Sequence, residues 1–216
     1  MNHDMSFFGS RVLFVGAHPD DIELGAGALI AHIVNKTELM CVTLSDNQKN
    51  PELSQVSTEH HRSMRVLGVA DQNVVVGGFE TRRFPEFRQE ILEYLIQLNR
   101  TFHPEIVFTH TRADIHQDHG TVTDEVLRAF RGTTVLGFDV LRSTYGFFPN
   151  FLVEVTEADV DKKLAALAEY DTYATKYYFD PAITRATLIR HGALAERPFA
   201  EGFDILRIVG TFNSTS

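Results

Sequence analysis

The sequence predicts an α/β fold built on a mainly parallel sheet. Short, almost wholly apolar runs alternate with amphipathic stretches from residue 11 to about 130, the pattern of strands joined by crossover helices. Clusters of His and Asp follow two of those runs directly, and open parallel sheets bind ligands outside the carboxyl ends of their strands.

In order, residues 11–17 (RVLFVGA) read as a fully buried strand, 25–34 as a helix and 39–44 as a second buried strand. Residues 54–67 read as a helix closed by Gly68 at its C-terminal cap, and 73–76 as a third strand. Residues 87–102 place Ile91, Leu92, Leu95, Ile96 and Leu98 at helical spacing. A fourth strand follows at 105–109 and a helix at 121–130. Beyond that point the pattern loosens. Residues 151–155 and 203–209 suit strands, and 158–170 and 182–193 suit helices. No repeat, low-complexity segment or linker interrupts the chain, so residues 1–216 are expected to form one domain.

The bulk numbers narrow the function. A formal charge of -9 with no dense cluster of Lys and Arg argues against a sequence-independent nucleic-acid binder. Arg82 with Arg83 and Lys162 with Lys163 are the densest basic spots, and they read as solvated charges. One cysteine, Cys41, sits in an apolar run, so no internal disulfide forms and a small buried hydrophobe is expected. Residues 1–10 carry no basic stretch followed by an apolar one, and no apolar run reaches membrane-spanning length. A cytoplasmic location is the default expectation.

The first chemical cluster is Ala17-His18-Pro19-Asp20-Asp21. His and Asp are good zinc ligands, and a catalytic zinc keeps a position open for water. Adjacent carboxylates in a turn point in different directions, so one can bind metal while the other faces the water. The same residues also suit a plain strand-to-helix turn with an Asp N-cap and Pro in the first turn. The second cluster runs from His110 through Arg112, Asp114, His116 and Asp118 to His119: three of the chain's ten histidines and two aspartates within ten residues. If strands one and four are neighbours at a topological switch point, the two loops meet in one crevice. His18, Asp21 and His119 then form an N/N/O metal site with an open position. Asp20 is left free as a general base, and His116 as an acid or electrostatic stabiliser.

These residues resemble the LmbE/PIG-L family of zinc-dependent N-deacetylases. The resemblance rests on HPDD-x-E at His18 to Glu23 and on H-x-D-H at His116 to His119. Lesser matches are Gly25 with Gly27, then Leu67, Gly68 and Val69, and finally Ala200-Glu201 followed by Phe203. It implies a Rossmann-like three-layer sandwich, Zn2+ on His18, Asp21 and His119, and Asp20 as base. His116 then stabilises the oxyanion or protonates the leaving amine, with Asp118 orienting it. It also implies hydrolysis of a linear amide C–N bond in a small N-acetylated substrate of the N-acetylglucosamine type. The family's varied oligomeric states leave a homo-oligomer open. Three departures bear on the substrate: residues 45–50 read SDNQKN where many members are Gly-rich and acidic, Val56 stands where Arg is frequent, and Ala28 replaces the second Gly of a pair. Tyr145, Arg82 and Arg83 are further candidates for the crevice wall.

Three rivals remain at this stage. A metal-dependent phosphoesterase would need a second metal, with Asp114 and Glu23 supplying carboxylates. A dinucleotide-binding module would use Gly25 and Gly27, although Ile30 breaks the G-x-G-x-x-G fingerprint. A catalytically silent relative would keep the same motifs.

Overall fold

The computed structural model describes residues 9–47 and 49–210. Most of the N-terminal segment considered above lies outside these residues, as does Gln48 of the 45–50 loop. The strands are β1 (Arg11–Gly16), β2 (Glu38–Thr43), β3 (Val74–Val76), β4 (Ile106–His110), β5 (Thr134–Phe138), β6 (Phe151–Glu154) and β7 (Ala200–Arg207). The helices are α1 (Asp21–Ile33), α2 (Val56–Leu67), α3 (Arg88–Phe102), α4 (Gln117–Ala129), α5 (Glu157–Leu167) and α6 (Pro181–Leu194).

The strands form one sheet in the order β3-β2-β1-β4-β5-β7-β6. Strands β1 to β5 pair in parallel, and β7 runs antiparallel to both β5 and β6. The chain is therefore an α/β sandwich with a mainly parallel sheet. β1 lies beside β4, with Val12 opposite Ile106 and Phe14 opposite Phe108. Winding proceeds outward in both directions from this pair, so the loops after β1 and β4 open into a crevice at the switch point.

Period-two alternation sends consecutive side chains of each strand to opposite faces, and here both faces are covered. Val12, Phe14, Phe108 and Phe138 pack under α1 and α2 with Ile22, Leu29, Ile30 and Met64. Leu13, Val15, Val107 and Val135 pack under α3 and α4 with Ile91, Leu95, Val122 and Val126. Each such side chain, fully buried, contributes roughly 1.5–3 kcal/mol. Cys41 sits in the first of these layers as a free, buried thiol. Gly68 closes α2 at φ 97, where an L side chain would be strained.

The structure moves several expected boundaries. α1 and α4 each begin four residues before the expected starts at 25 and 121. β7 begins at Ala200 rather than at 203. β5 was not expected at all; it is only five residues long and carries Gly137, whose Cβ would lie 2.9 Å from the Cα of Thr111.

Candidate active site

The last residues of β1 lead through Ala17, His18 and Pro19 into α1. Asp20 occupies the N-cap of that helix, but its side chain makes no capping bond and its backbone sits at φ 103. A non-glycine residue in that region is strained, and such strain concentrates at functional sites. The plain N-cap interpretation of Asp20 therefore does not hold. Asp21 begins the helix, and its Oδ2 accepts the backbone N–H of His18 at 2.7 Å. From β4, His116 serves as N-cap of α4, its Nδ1 accepting the N–H of Asp118 at 3.1 Å. Asp118 and His119 lie in the first turn.

Three atoms converge between these turns. His18 Nδ1 and His119 Nε2 are 3.2 Å apart, and Asp21 Oδ2 lies 3.5 Å from the first and 3.4 Å from the second. Ligands on a tetrahedral zinc with bonds of about 2.0–2.1 Å stand about 3.3 Å from one another. The rings are oriented from behind. His18 Nε2–H donates to Asp118 Oδ2 at 2.9 Å, and His119 Nδ1–H donates to Asp114 Oδ2 at 2.7 Å. These carboxylates assign the tautomers, so each ring turns a lone pair toward the other and toward Asp21. With both rings neutral a cation satisfies that arrangement; without one, a proton on His18 Nδ1 does. Burial pulls the His18 imidazole down, but Asp118 and Asp21 outweigh it and push its pKa up to about 9.

His110 is also close, with Nε2 3.4 Å from Asp21 Oδ2. That nitrogen already accepts the backbone N–H of Ala17 at 3.0 Å, so its lone pair is engaged. Burial and the neighbouring His119 hold its pKa down to about 3. It braces the β1 loop as a neutral ring.

The remaining residues divide between cleft and support. Asp20 is buried at the cleft, and burial followed by the Asp21 charge raises its carboxyl well above the usual range. One ring nitrogen of His116 comes within 4.8 Å of a ring nitrogen of His18 and of His119. Burial and then the charges of His119 and His18 lower its pKa to about 4. The Asp118 carboxylate does not bond His116. It turns to His18 and also accepts the N–H groups of Arg82 at 2.5 Å and Phe84 at 3.2 Å. Asp114 is committed to His119 and to the Ser143 hydroxyl at 2.9 Å. Glu23 points away from the cleft, where its Oε1 accepts His60 Nδ1–H at 2.8 Å and Tyr170 O–H at 2.5 Å. Asp114 is taken up by these bonds, and Glu23, whose Oε2 has no hydrogen-bond partner, is not part of the cleft wall.

The cleft holds about 360 Å3 and includes His18, Asp20, His116 and His119 in its wall. Of the further sequence candidates, Arg82 lines it. Arg83 instead pairs with Glu80 and Glu86, and Tyr145 lies outside the wall. Sequence reasoning missed Arg142, Tyr173, Lys176 and Tyr178, which close the opposite side.

It also missed the role of Lys163 and Glu201. Helix α1 breaks at Ala26 (φ -142, ψ 15). The Glu201 carboxylate accepts the N–H groups of Ala28 at 3.1 Å and Leu29 at 2.6 Å, capping the second half of the helix. Lys163 Nζ donates to the Leu24 carbonyl left open by the break and to Glu201, both at 2.6 Å. Gly27 admits this lysine, since a Cβ there would lie 3.0 Å from its Cγ; at Gly25 a Cβ would fall 2.3 Å from the Phe138 ring. Helix packing thus accounts for these two glycines, and they cradle no phosphate.

A family model described as PIG-L: GlcNAc-PI de-N-acetylase matches residues 13–130. The chain is 31% identical over 166 residues to the uncharacterized deacetylase YaiS of Escherichia coli (strain K12), covering 74% of this chain and 89% of that protein. Among solved structures it is similar to N,N'-diacetylchitobiose deacetylase from Pyrococcus horikoshii, with a TM-score of 0.76, 17% identity, and coverage of 94% and 88% of the two chains. It is also similar to GalB, the 4-carboxy-2-hydroxymuconate hydratase from Pseudomonas putida KT2440, with a TM-score of 0.73, 21% identity, and coverage of 94% and 99%. At these identities the structural likeness speaks for the fold alone, and one fold hosts more than one reaction.

Proposed function

The chain belongs to the PIG-L family of de-N-acetylases, and from that premise we propose that it is a zinc-dependent amidase that removes the N-acetyl group from an amino sugar of the N-acetylglucosamine type. The observation that carries this reading is the meeting of three metal-binding lone pairs, from His18, Asp21 and His119, beside a strained and buried Asp20. The family description names an N-acetylglucosamine derivative, and the Pyrococcus neighbour acts on a diacetylated chitobiose.

His18 Nδ1, His119 Nε2 and Asp21 Oδ2 would hold the ion, with Asp118 and Asp114 fixing the two rings. A bound divalent ion supplies Lewis-acid polarisation and lowers the pKa of water toward ~7. Asp20 takes the proton of the water that attacks the acetamido carbon. Its raised pKa brings its basicity closer to the working pH, which suits a general base. His116 is a neutral ring at neutral pH, with Nδ1 occupied by the Asp118 N–H, so Nε2–H is its donor. That donor stabilises the oxyanion as the carbonyl becomes tetrahedral. The proton held by Asp20 then passes to the leaving nitrogen, giving acetate and a free amine.

Amine release from N-acetylglucosamine and its glycosides tests this reading, with and without a chelator. Release that stops on chelation and returns with zinc supports it. Release unaffected by chelation would overturn the metal's part. A phosphoesterase with two metals finds no support in Asp114 or Glu23, both bonded elsewhere.

A further inference from the structure

Helix α1 is built in two pieces. In an unbroken helix the Ala28 N–H would donate to the Leu24 carbonyl and the Leu29 N–H to the Gly25 carbonyl. Both N–H groups go to Glu201 instead, and Lys163 donates to the Leu24 carbonyl. The break at Ala26 therefore detaches residues 21–25 from the rest of the helix. This single turn carries Asp21 and is entered through Asp20, whose backbone is strained at φ 103 and whose side chain makes no capping bond. Strain of that kind persists only where the surroundings enforce it.

The enforcing contacts lie buried behind the cleft. Glu23, in the middle of the turn, is wholly buried, as are His60 and Thr43, and Tyr170 is nearly so. Glu23 Oε1 accepts His60 Nδ1–H at 2.8 Å and Tyr170 O–H at 2.5 Å. His60 Nε2 in turn accepts the Thr43 hydroxyl at 3.2 Å, which ties the ring to the end of β2. Glu23 Oε2 has no hydrogen-bond partner, so the hold on the turn runs through Oε1. One carboxylate oxygen thus joins the detached turn to α2, to β2 and to the segment after α5. Glu59, beside His60 on α2, fixes that same segment: its Oε1 accepts the Thr172 N–H at 3.1 Å and hydroxyl at 3.0 Å. Tyr173 follows, stacked on Tyr170 at 5.9 Å, and lines the cleft with Asp20. Two consecutive residues of α2 therefore set both the turn that bears Asp20 and the aromatic wall it works against.

We propose that Glu23 is a positioning residue: gripped by His60 and Tyr170, it holds the detached first turn of α1 so that Asp20 keeps its catalytic geometry. This rests on the deacetylase reading above, in which Asp20 is the base. Asp21 shares the turn but has a hold of its own, because its Oδ2 accepts the His18 N–H at 2.7 Å. Loss of the Glu23 grip therefore displaces the base before it releases the metal.

The test compares Glu23→Leu, which removes the acceptor, with Glu23→Gln, which keeps one, in the zinc-loaded protein. A small misplacement of a catalytic group is costly, so kcat in Glu23→Leu should fall about 10- to 100-fold. KM and zinc content should stay. Glu23→Gln should recover most of the loss. Tyr170→Phe, which removes a single donor, should show a smaller loss, and it carries the same comparisons where Glu23→Leu does not fold. In an Asp20→Asn background, Glu23→Leu should change kcat by less than about twofold, because the two residues act as one unit. Amide exchange reads the hold without any substrate. The Leu24 N–H, which donates to the Asp20 carbonyl, should exchange about tenfold faster in Glu23→Leu, whereas the Leu29 N–H on Glu201 should not change. An equal rise in both halves of α1 would mean a general loss of stability and overturn the proposal. Glu23→Gln as damaged as Glu23→Leu would make charge the cause and overturn it too. So would the same fall in kcat with and without the Asp20 carboxylate. A selective rise at Leu24 in a protein that releases no amine would keep the hold and overturn the deacetylase.

Discussion

His18 donates its Nε2 proton to the Asp118 carboxylate, and that contact decides which nitrogen of the ring faces Asp21 and His119. Asp118 lies two residues after His116, but its side chain acts on the His18 ring of the other loop. Replacing it should therefore appear first as lost metal affinity. Asp118→Asn is expected to weaken zinc binding by about 10- to 100-fold, measured by competition with a chromophoric chelator. Unchanged affinity with reduced turnover would instead place Asp118 behind His116.

Asp20 and His119 should separate cleanly. Asp20→Asn is expected to retain zinc and lose most turnover, because proton transfer by a positioned group contributes about 10²–10⁴-fold. His119→Ala should lose the metal itself. Metal analysis beside amine release reads both variants; full turnover by the first, or full zinc retention by the second, would remove the role assigned.

The break in α1 makes a prediction about folding. Lys163 and Glu201 are 4% and 2% exposed and bond each other at 2.6 Å. Removing one charge of a buried pair costs about 3–5 kcal/mol, because the other stays buried and unpaired. Glu201→Gln should lower the denaturation midpoint accordingly. Gly25→Ala should also destabilise, since its Cβ would meet the Phe138 ring at 2.3 Å. A Gly25→Ala variant as stable as the wild type would show that the helix can shift where the packing says it cannot.

His191 gives the fold a dependence on pH. Burial, then the charges of Arg190 and Lys163, lower its pKa to about 4 from 6.5. The unfolded chain then binds the extra proton between those values, so this contribution is complete above pH 6.5 and is lost as pH falls toward 4. The loss amounts to at most about 3 kcal/mol. In His191→Gln the slope of stability against pH in that window should flatten, as read by urea titrations at several pH values. An unchanged slope would mean that the ring ionises in the fold as it does in the unfolded chain.

The sequence made the cleft legible where its residues are unusual side by side. Two carboxylates next to His18, and three histidines within ten residues after β4, have few other uses. The parallel sheet was legible because β1, β2 and β4 are apolar on both faces. The starts of α1 and α4 were not, because their first turns carry Asp21 and Glu23, and Asp118 and His119, which hide the apolar period of the helices behind them. Asp118 illustrates a further limit: the family resemblance paired it with His116, and three-dimensional packing turns its carboxylate to His18. Lys163 and Glu201 stand 38 residues apart; the first reads as a solvated charge and the second only as part of a family match, so their meeting beside α1 leaves no local signal. The same holds for Arg142 and Lys176, which become cleft residues only once β5 and the turn after α5 are in place.

Zinc titration into metal-free protein, with amine release followed at each step, tests the central claim most directly. Activity that rises linearly and levels off at one zinc per chain is the predicted result. A break at two zinc ions, or no binding at all, would contradict a centre built from His18, Asp21 and His119.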